Sequence, residues 1–290
     1  MTSQEALGAQ HLLPLAQGTL RYYDRGEPGA RPVVFVHGVL TNALLWRKVV
    51  PTVADAGFRC LAPDLPLGSH TTPMRPDADL SAPAVATLLG DFLTALDLED
   101  AILVANDTGG AITQLLLARY PDRVGKVVLT PSDSFEYFFP PIFRPLPKIA
   151  RIPGSMSVLG QLLRIRALYR LPLLFGWVAK RPLPPAIAEE YLGKLRKSKG
   201  VRRDLRKFLR TVHSRHTLAA AEKLRQFNQP VLLVWPPEEK LFPISLAHRL
   251  AAVLPDAELV EVPDSYTFVS EDQPDALAGH IKRFAAAMAD

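Results

Sequence analysis

Asp107 sits where a side chain could attack a substrate. An apolar run, Ala101-Ile102-Leu103-Val104, leads into Asn106-Asp107-Thr108-Gly109-Gly110, and the helical pattern Ala111 to Ala118 follows at once. A side chain held between a buried strand and a helix start, in a turn too tight for bulky neighbours, has the setting of a nucleophile elbow. Here the presented group is a carboxylate rather than a hydroxyl or thiol. Backbone N–H groups and the dipole at the helix start are expected to keep it ionised. Such a carboxylate, shielded from water, can attack carbon, although the same donors make it a weak general base. The competing role is a plain helix N-cap.

The elements that must hold this turn alternate regularly. Strand-like runs occupy Thr19–Tyr23, Pro32–Val36, Phe58–Ala62, Ala101–Val104, Gly125–Thr130, Pro230–Trp235 and Glu258–Val262. Helical periodicity covers Ala43–Ala54, Leu80–Leu96, the segment after the elbow through Tyr120, Ser245–Val253 and Asp275–Met288. This predicts an α/β fold, a mostly parallel eight-stranded sheet with helices on both faces. Residues 136–222 break the rhythm: they lack strand runs, are rich in Pro, Arg and Leu, and read as short helices. Pro140 to Pro147 marks the entry; Asp204–Arg210 and Leu218–Phe227 are the closing helices, with the exit near Asn228. The expected organisation is a core from 1–135 and 223–290, with 136–222 an all-helical cap over the carboxyl ends of the strands, where open sheets bind ligands.

Charge is distributed unevenly. Residues 136–222 carry 18 Lys and Arg against 5 Asp and Glu, while the remainder carries 16 against 24. A basic insert on an acidic body suits an anionic ligand or surface, or is simply a solvated face. Nucleic acid is not expected as a partner, because no recognised module occurs and aromatic residues do not interleave with the charges. The single Cys60 rules out an internal disulfide framework and fits a reducing compartment. The N-terminal residues lack a basic, then apolar leader pattern, and the apolar stretch Leu168–Ala179 is too short and broken to span a bilayer. A soluble cytoplasmic protein of open oligomeric state is the expectation. No Gly-Lys-Ser/Thr loop or dinucleotide fingerprint is found, and no histidine pair has metal-ligand spacing supported by carboxylates, so neither cofactor nor metal is expected.

In order and spacing, four segments resemble the α/β-hydrolase superfamily with a helical cap, in particular its aspartate-nucleophile branch of haloalkane dehalogenases and epoxide hydrolases. They are His37-Gly38, Asn106 to Gly110, Trp235 to Pro243, and Phe268-Val269-Ser270-Glu271-Asp272-Gln273-Pro274. The resemblance implies that Asp107 attacks an sp³ carbon to form an ester, which a histidine-activated water then hydrolyses. It implies an oxyanion hole from the N–H of Thr108 and of Val39 or Leu40, with His37 shaping that loop at the edge of the substrate site. It places the acid at Glu239, where aspartate is usual, with Asp133 as a second possible acid. Its histidine position is occupied by Thr267, which cannot accept a proton near neutral pH. His70 is the best substitute base, ahead of His213 and His216; His11, His248 and His280 read as surface residues. Dehalogenases typically hold the departing halide with Trp after the nucleophile and Asn after His-Gly; Thr108 and Val39 stand there. Epoxide hydrolases protonate the opening oxygen with cap tyrosines, for which Tyr137, Tyr169 and Tyr191 are the candidates, each otherwise a packing aromatic.

Three readings follow. The first is a hydrolase of a small apolar epoxide or ester, acting through Asp107 with a non-standard or missing base. The second is a non-hydrolytic catalyst on the same scaffold, such as an isomerase, cyclase or lyase. The third is a catalytically inactive protein that keeps the pocket for a small apolar or anionic ligand.

Overall fold

The computed structural model describes residues 3–172 and 174–287. Eight strands form one sheet: β1 (Ala9–Leu15), β2 (Gly18–Arg25), β3 (Pro32–Val36), β4 (Arg59–Pro63), β5 (Ala101–Asp107), β6 (Val124–Ser132), β7 (Val231–Trp235) and β8 (Ala257–Glu261). Their order is β1-β2-β4-β3-β5-β6-β7-β8, with β1 and β2 antiparallel at one edge and the rest parallel. The central strands are continuous apolar runs, buried on both sides, as a parallel sheet covered by helices requires. β1 escaped sequence reading because AQHLLPL lies mostly exposed at the edge and has neither a clean alternation nor a buried run.

The body helices are α1 (Val50–Ala54), α2 (Ala82–Ala95) and α3 (Thr108–Leu117). The chain then runs from β6 into an insertion bearing α4 (Leu146–Ile149), α5 (Ser155–Leu162), α6 (Pro185–Lys197) and α7 (Lys199–Leu209). It continues through α8 (Ser214–Leu224), α9 (Ile244–Val253), α10 (Val269–Asp272) and α11 (Pro274–Ala286). Helices α2, α3, α8 and α9 pack in succession, and α1 packs against α11. Although α8 lies at the expected exit of the insertion, it packs on the body helices α3 and α9. The helix expected over Ala43–Ala54 is divided into a 3₁₀ turn at Ala43–Trp46 and α1. The Asn42 side chain caps the turn, and Pro51, at the start of α1, begins a new helix more readily than it continues one. The final helix is described to Ala286; Met288, its expected end, lies outside the described residues. No described helix is long and apolar enough to cross a membrane.

The strand order decides where the site falls. From β3 the chain crosses to β4 on one side, while β5 pairs on the other. The loops after β3 and β5 therefore meet at the point where the winding reverses, the usual ligand crevice of an open sheet.

A buried ion pair ties the last segment to the body. Both guanidinium nitrogens of Arg47 donate to the carboxylate of Glu271 in α10, and Lys48 adds a contact at 3.0 Å. Removing the guanidinium would leave a carboxylate buried with only a half-exposed lysine for charge compensation. Arg47→Leu is therefore expected to cost about 3–5 kcal/mol, read as a lower denaturation midpoint in urea.

Candidate active site

Asp107 ends β5 and α3 begins at the next residue, which forces a reversal too sharp for ordinary backbone. Asp107 takes φ +53°, ψ −131°. Neighbouring glycines make the approach possible. A Cβ on Gly38 would lie 2.1 Å from Asp107 Oδ2, and one on Gly110 would lie 2.2 Å from the Ser132 Cβ. The side chain makes no N-cap bond to α3, so the plain capping role is not the one it plays. Instead the backbone N–H groups of Val39 and Thr108 approach its carboxylate. Leu40, the alternative donor, is spent: its N–H donates to the Leu67 carbonyl at 3.0 Å.

The carboxylate was expected to be held ionised. Enclosure by protein instead pushes Asp107 up to about 7, against the opposing pull of those two N–H groups. No cationic side chain contributes, so desolvation wins. The residue as a whole nevertheless retains some accessible surface.

Asp133 is fully buried beside it. Its Oδ2 accepts from the Thr108 hydroxyl at 3.0 Å, and its N–H lies 3.3 Å from the Asp107 carbonyl. Burial and then the charge of Asp107 hold its carboxyl well above the ordinary range. Two carboxyls this close in an enclosed site do not both ionise readily.

Glu239, in the loop after β7, is the third. Its Oε1 accepts from the N–H of Leu241 at 2.8 Å, from that of Phe242 at 3.3 Å, and from the Thr267 hydroxyl at 2.8 Å. Burial still raises it to about 7, and Oε2 is buried without a partner. The Asn106 amide donates to the Thr267 carbonyl at 2.7 Å. This fixes the Glu239–Thr267 pair against the residue that precedes Asp107.

The remaining candidates lie elsewhere or are engaged. His37 Nε2 accepts from the Leu65 N–H at 2.9 Å, and its Nδ1 is 2.8 Å from the Gly38 carbonyl. Burial lowers its proton affinity, so it is a neutral ring bracing its loop, with no nitrogen left for a substrate. His70, the expected substitute base, is buried in its loop. Its Nε2 is 3.2 Å from Oδ2 of Asp204 in α7, which also accepts from the Met74 N–H. The Tyr169 hydroxyl donates to the Leu163 carbonyl at 2.7 Å. Tyr191 is fully buried with its hydroxyl facing Arg47, and burial raises it well above its ordinary value. Tyr137 turns back on Ser134 just after β6, and its ring is only partly buried.

Sequence reading missed Asn106, Asp204 and Arg47, whose roles depend on partners more than a hundred residues away. No local spacing signals such pairs. Two cavities stand out in the insertion and at its margin. One, of about 390 Å³, is lined by Tyr169, Phe175, Ala179, Leu183 and Glu189 among others. The second, of about 530 Å³, lies between Ala78–Ser81 and Arg151, Lys207 and Arg210. Neither includes Asp107. Phe175 nonetheless reaches the loop of Thr267, its ring centroid 6.5 Å from that of Phe268.

Comparison with known proteins accords with this architecture. The alpha/beta hydrolase fold family matches residues 31–157. Haloalkane dehalogenase 2 of Mycobacterium tuberculosis is 27% identical over 271 residues, covering 92% of this chain and 91% of its own. The uncharacterized hydrolase YugF of Bacillus subtilis is 27% identical over 278 residues, covering 91% and 93%. Among solved structures, haloalkane dehalogenase DbeA of Bradyrhizobium elkani superposes with a TM-score of 0.79 at 23% identity, covering 96% and 97%.

Proposed function

We propose that this chain, which has the α/β-hydrolase fold and haloalkane dehalogenase-like relatives, is a hydrolase whose Asp107 attacks an electrophilic carbon of a small apolar epoxide or ester. The insertion would act as a cap over that site. The observation that carries the reading is the carboxylate on a strained turn at the switch point of the sheet, approached by two backbone N–H groups and by no cation. The two N–H groups offset part of the desolvation without a cation to quench the charge, which leaves a reactive carboxylate once it is ionised.

For an epoxide, an Asp107 oxygen bonds to a ring carbon while that carbon's bond to oxygen breaks, and the released alkoxide takes a proton from water. The ester so formed must then be hydrolysed. In this reading Thr267 stands where the relatives' fold would present an imidazole, and its bond to Glu239 supports that assignment. A threonine hydroxyl does not activate water near neutral pH, so the second step is slow and the ester accumulates. Dehalogenation is the less favoured chemistry. The side chain after Asp107 is a threonine whose hydroxyl donates to Asp133, and Val39 is apolar, so neither offers a donor to a leaving halide.

Incubation with a small epoxide followed by intact-mass measurement tests this. A one-to-one adduct on Asp107 that decays slowly is expected; no adduct and no turnover would overturn the reading. Because Asp107 must be ionised to attack and is held near 7, labelling is expected to rise about tenfold from pH 6 to pH 8 and then level off. Pre-steady-state labelling across that range checks it. The third reading, a protein that keeps its ligand rather than turning it over, draws on the same Thr267. A ligand that raises the melting temperature without covalent mass gain would favour it.

A further inference from the structure

The insertion concentrates the exposed apolar surface of the molecule. Among the described residues, six of the nine large hydrophobic side chains left exposed fall between residues 149 and 171: Ile149, Ile152, Val158, Leu162, Ile165 and Leu171. Three of them make a short row along the chain. Val158 and Leu162 stand one turn apart on α5, Ile165 follows in extended backbone just beyond its end, and they are 61, 48 and 51% exposed. The opposite face of α5, Met156 and Gly160 with Leu163 beyond it, is buried against the insertion. An α5 that already has a packed face gains nothing for the fold by carrying a second apolar row towards solvent.

Along the chain on either side of this row the charges have one sign. No Asp or Glu occurs from residue 137 to 188, while eight Lys and Arg do. Lys148, Arg151, Arg164 and Arg170 are exposed and form no ion pair with a described residue. Cations beside exposed aliphatic side chains are the two halves of an interfacial membrane contact, in which the side chains enter the headgroup boundary and the cations meet lipid phosphates. A second copy of this chain would bring like charges together, which disfavours self-association through the same surface.

We infer that the row Val158, Leu162 and Ile165, with the exposed cations Arg151, Arg164 and Arg170 that flank it in the chain, docks the insertion onto a bilayer surface containing anionic phospholipid. The contact lies on the surface without spanning the membrane. It is independent of what Asp107 does, and would set the cavity lined by Tyr169 and Phe175 near a phase in which apolar molecules concentrate.

The test is sedimentation of the full chain with vesicles of phosphatidylcholine, with and without about one-third phosphatidylglycerol. The protein is expected to partition onto the anionic vesicles and much less onto the neutral ones. Raising salt from about 0.1 M to about 1 M, which shortens the screening length from about 10 to about 3 Å, should weaken binding. Val158→Glu with Leu162→Glu should reduce partitioning by about tenfold or more, whereas Val158→Ile with Leu162→Met retains it. Both positions are exposed, so thermal melting should be nearly unchanged and a folding defect would be visible. Equal partitioning onto both vesicle types, or unaltered binding by the Glu variant, would overturn the inference. So would a dimer in gel filtration that the Glu variant dissociates without any vesicle binding by the parent. Displacement of the protein by poly-glutamate with no effect of the apolar substitutions would point to an acidic polypeptide partner and also overturn it.

Discussion

Asp107→Asn should abolish epoxide labelling and stabilise the protein at the same time. The amide cannot attack carbon, so the covalent adduct should vanish from the intact mass spectrum. Asparagine tolerates positive φ better than most residues, so the elbow should survive the change. The stability gain follows from proton linkage. In the unfolded chain this carboxyl titrates near its ordinary value of about 4, whereas in the fold burial holds it near 7. The native state therefore keeps a proton that the unfolded chain has lost between those values, and stability falls as pH rises from about 4 to about 7, then levels. The full separation would correspond to about 4 kcal/mol, but Asp133 shares the enclosed proton, and a net gain of about 2 kcal/mol at pH 8 is expected. That is a rise of about 5 °C in melting temperature. Asp133, relieved of its charged neighbour, should titrate lower in the variant. Melting curves from pH 4 to pH 8 check this; an Asn variant with the parent's pH slope would show that Asp107 is not the buried acid.

Thr267→His is the converse experiment. The Thr267 hydroxyl already donates to Glu239 at 2.8 Å, so an imidazole there would find a carboxylate ready to orient it. Asn106, next to Asp107 in the chain, anchors the backbone of the same residue, and in the proposed reading the new ring would serve the ester on Asp107. Water activation by a positioned base contributes about 10²–10⁴-fold, so decay of the adduct should accelerate on that scale and stoichiometric labelling should become turnover. Thr267 is fully buried, and the larger ring should cost about 1–3 kcal/mol in stability through overpacking. Single-turnover decay of the labelled protein measures the gain. A folded variant whose adduct decays no faster would mean that Asp107 does not form the proposed ester or that Thr267 is not at the base position.

Asp107 could be read in the sequence because an elbow is a local device. A buried strand, small residues and an immediate helix must adjoin in the chain, and Ala101 to Ala118 contains all of them. The parallel sheet was legible for the same reason, since each apolar run declares its own strand. The ionisation of Asp107 was not legible. Local residues supply the N–H donors and the helix dipole, which favour charge, but enclosure depends on elements from the whole chain, and enclosure prevailed. The partner of His70, the expected substitute base, was hidden because nothing near it in sequence reveals Asp204, 134 residues later.

The chain by itself determined which elements form, which side chain stands at the strand-to-helix turn, and that a threonine precedes Phe268 in the final loop, because these depend on neighbours along the backbone. Only the tertiary structure decided that Asp133 and Glu239 are buried and the Asp107 carboxyl desolvated without a compensating cation, and that Thr267 bonds to Glu239. The physical reason is that desolvation and long-range hydrogen bonding arise from groups brought together by folding, and their strength depends on surroundings no short segment contains.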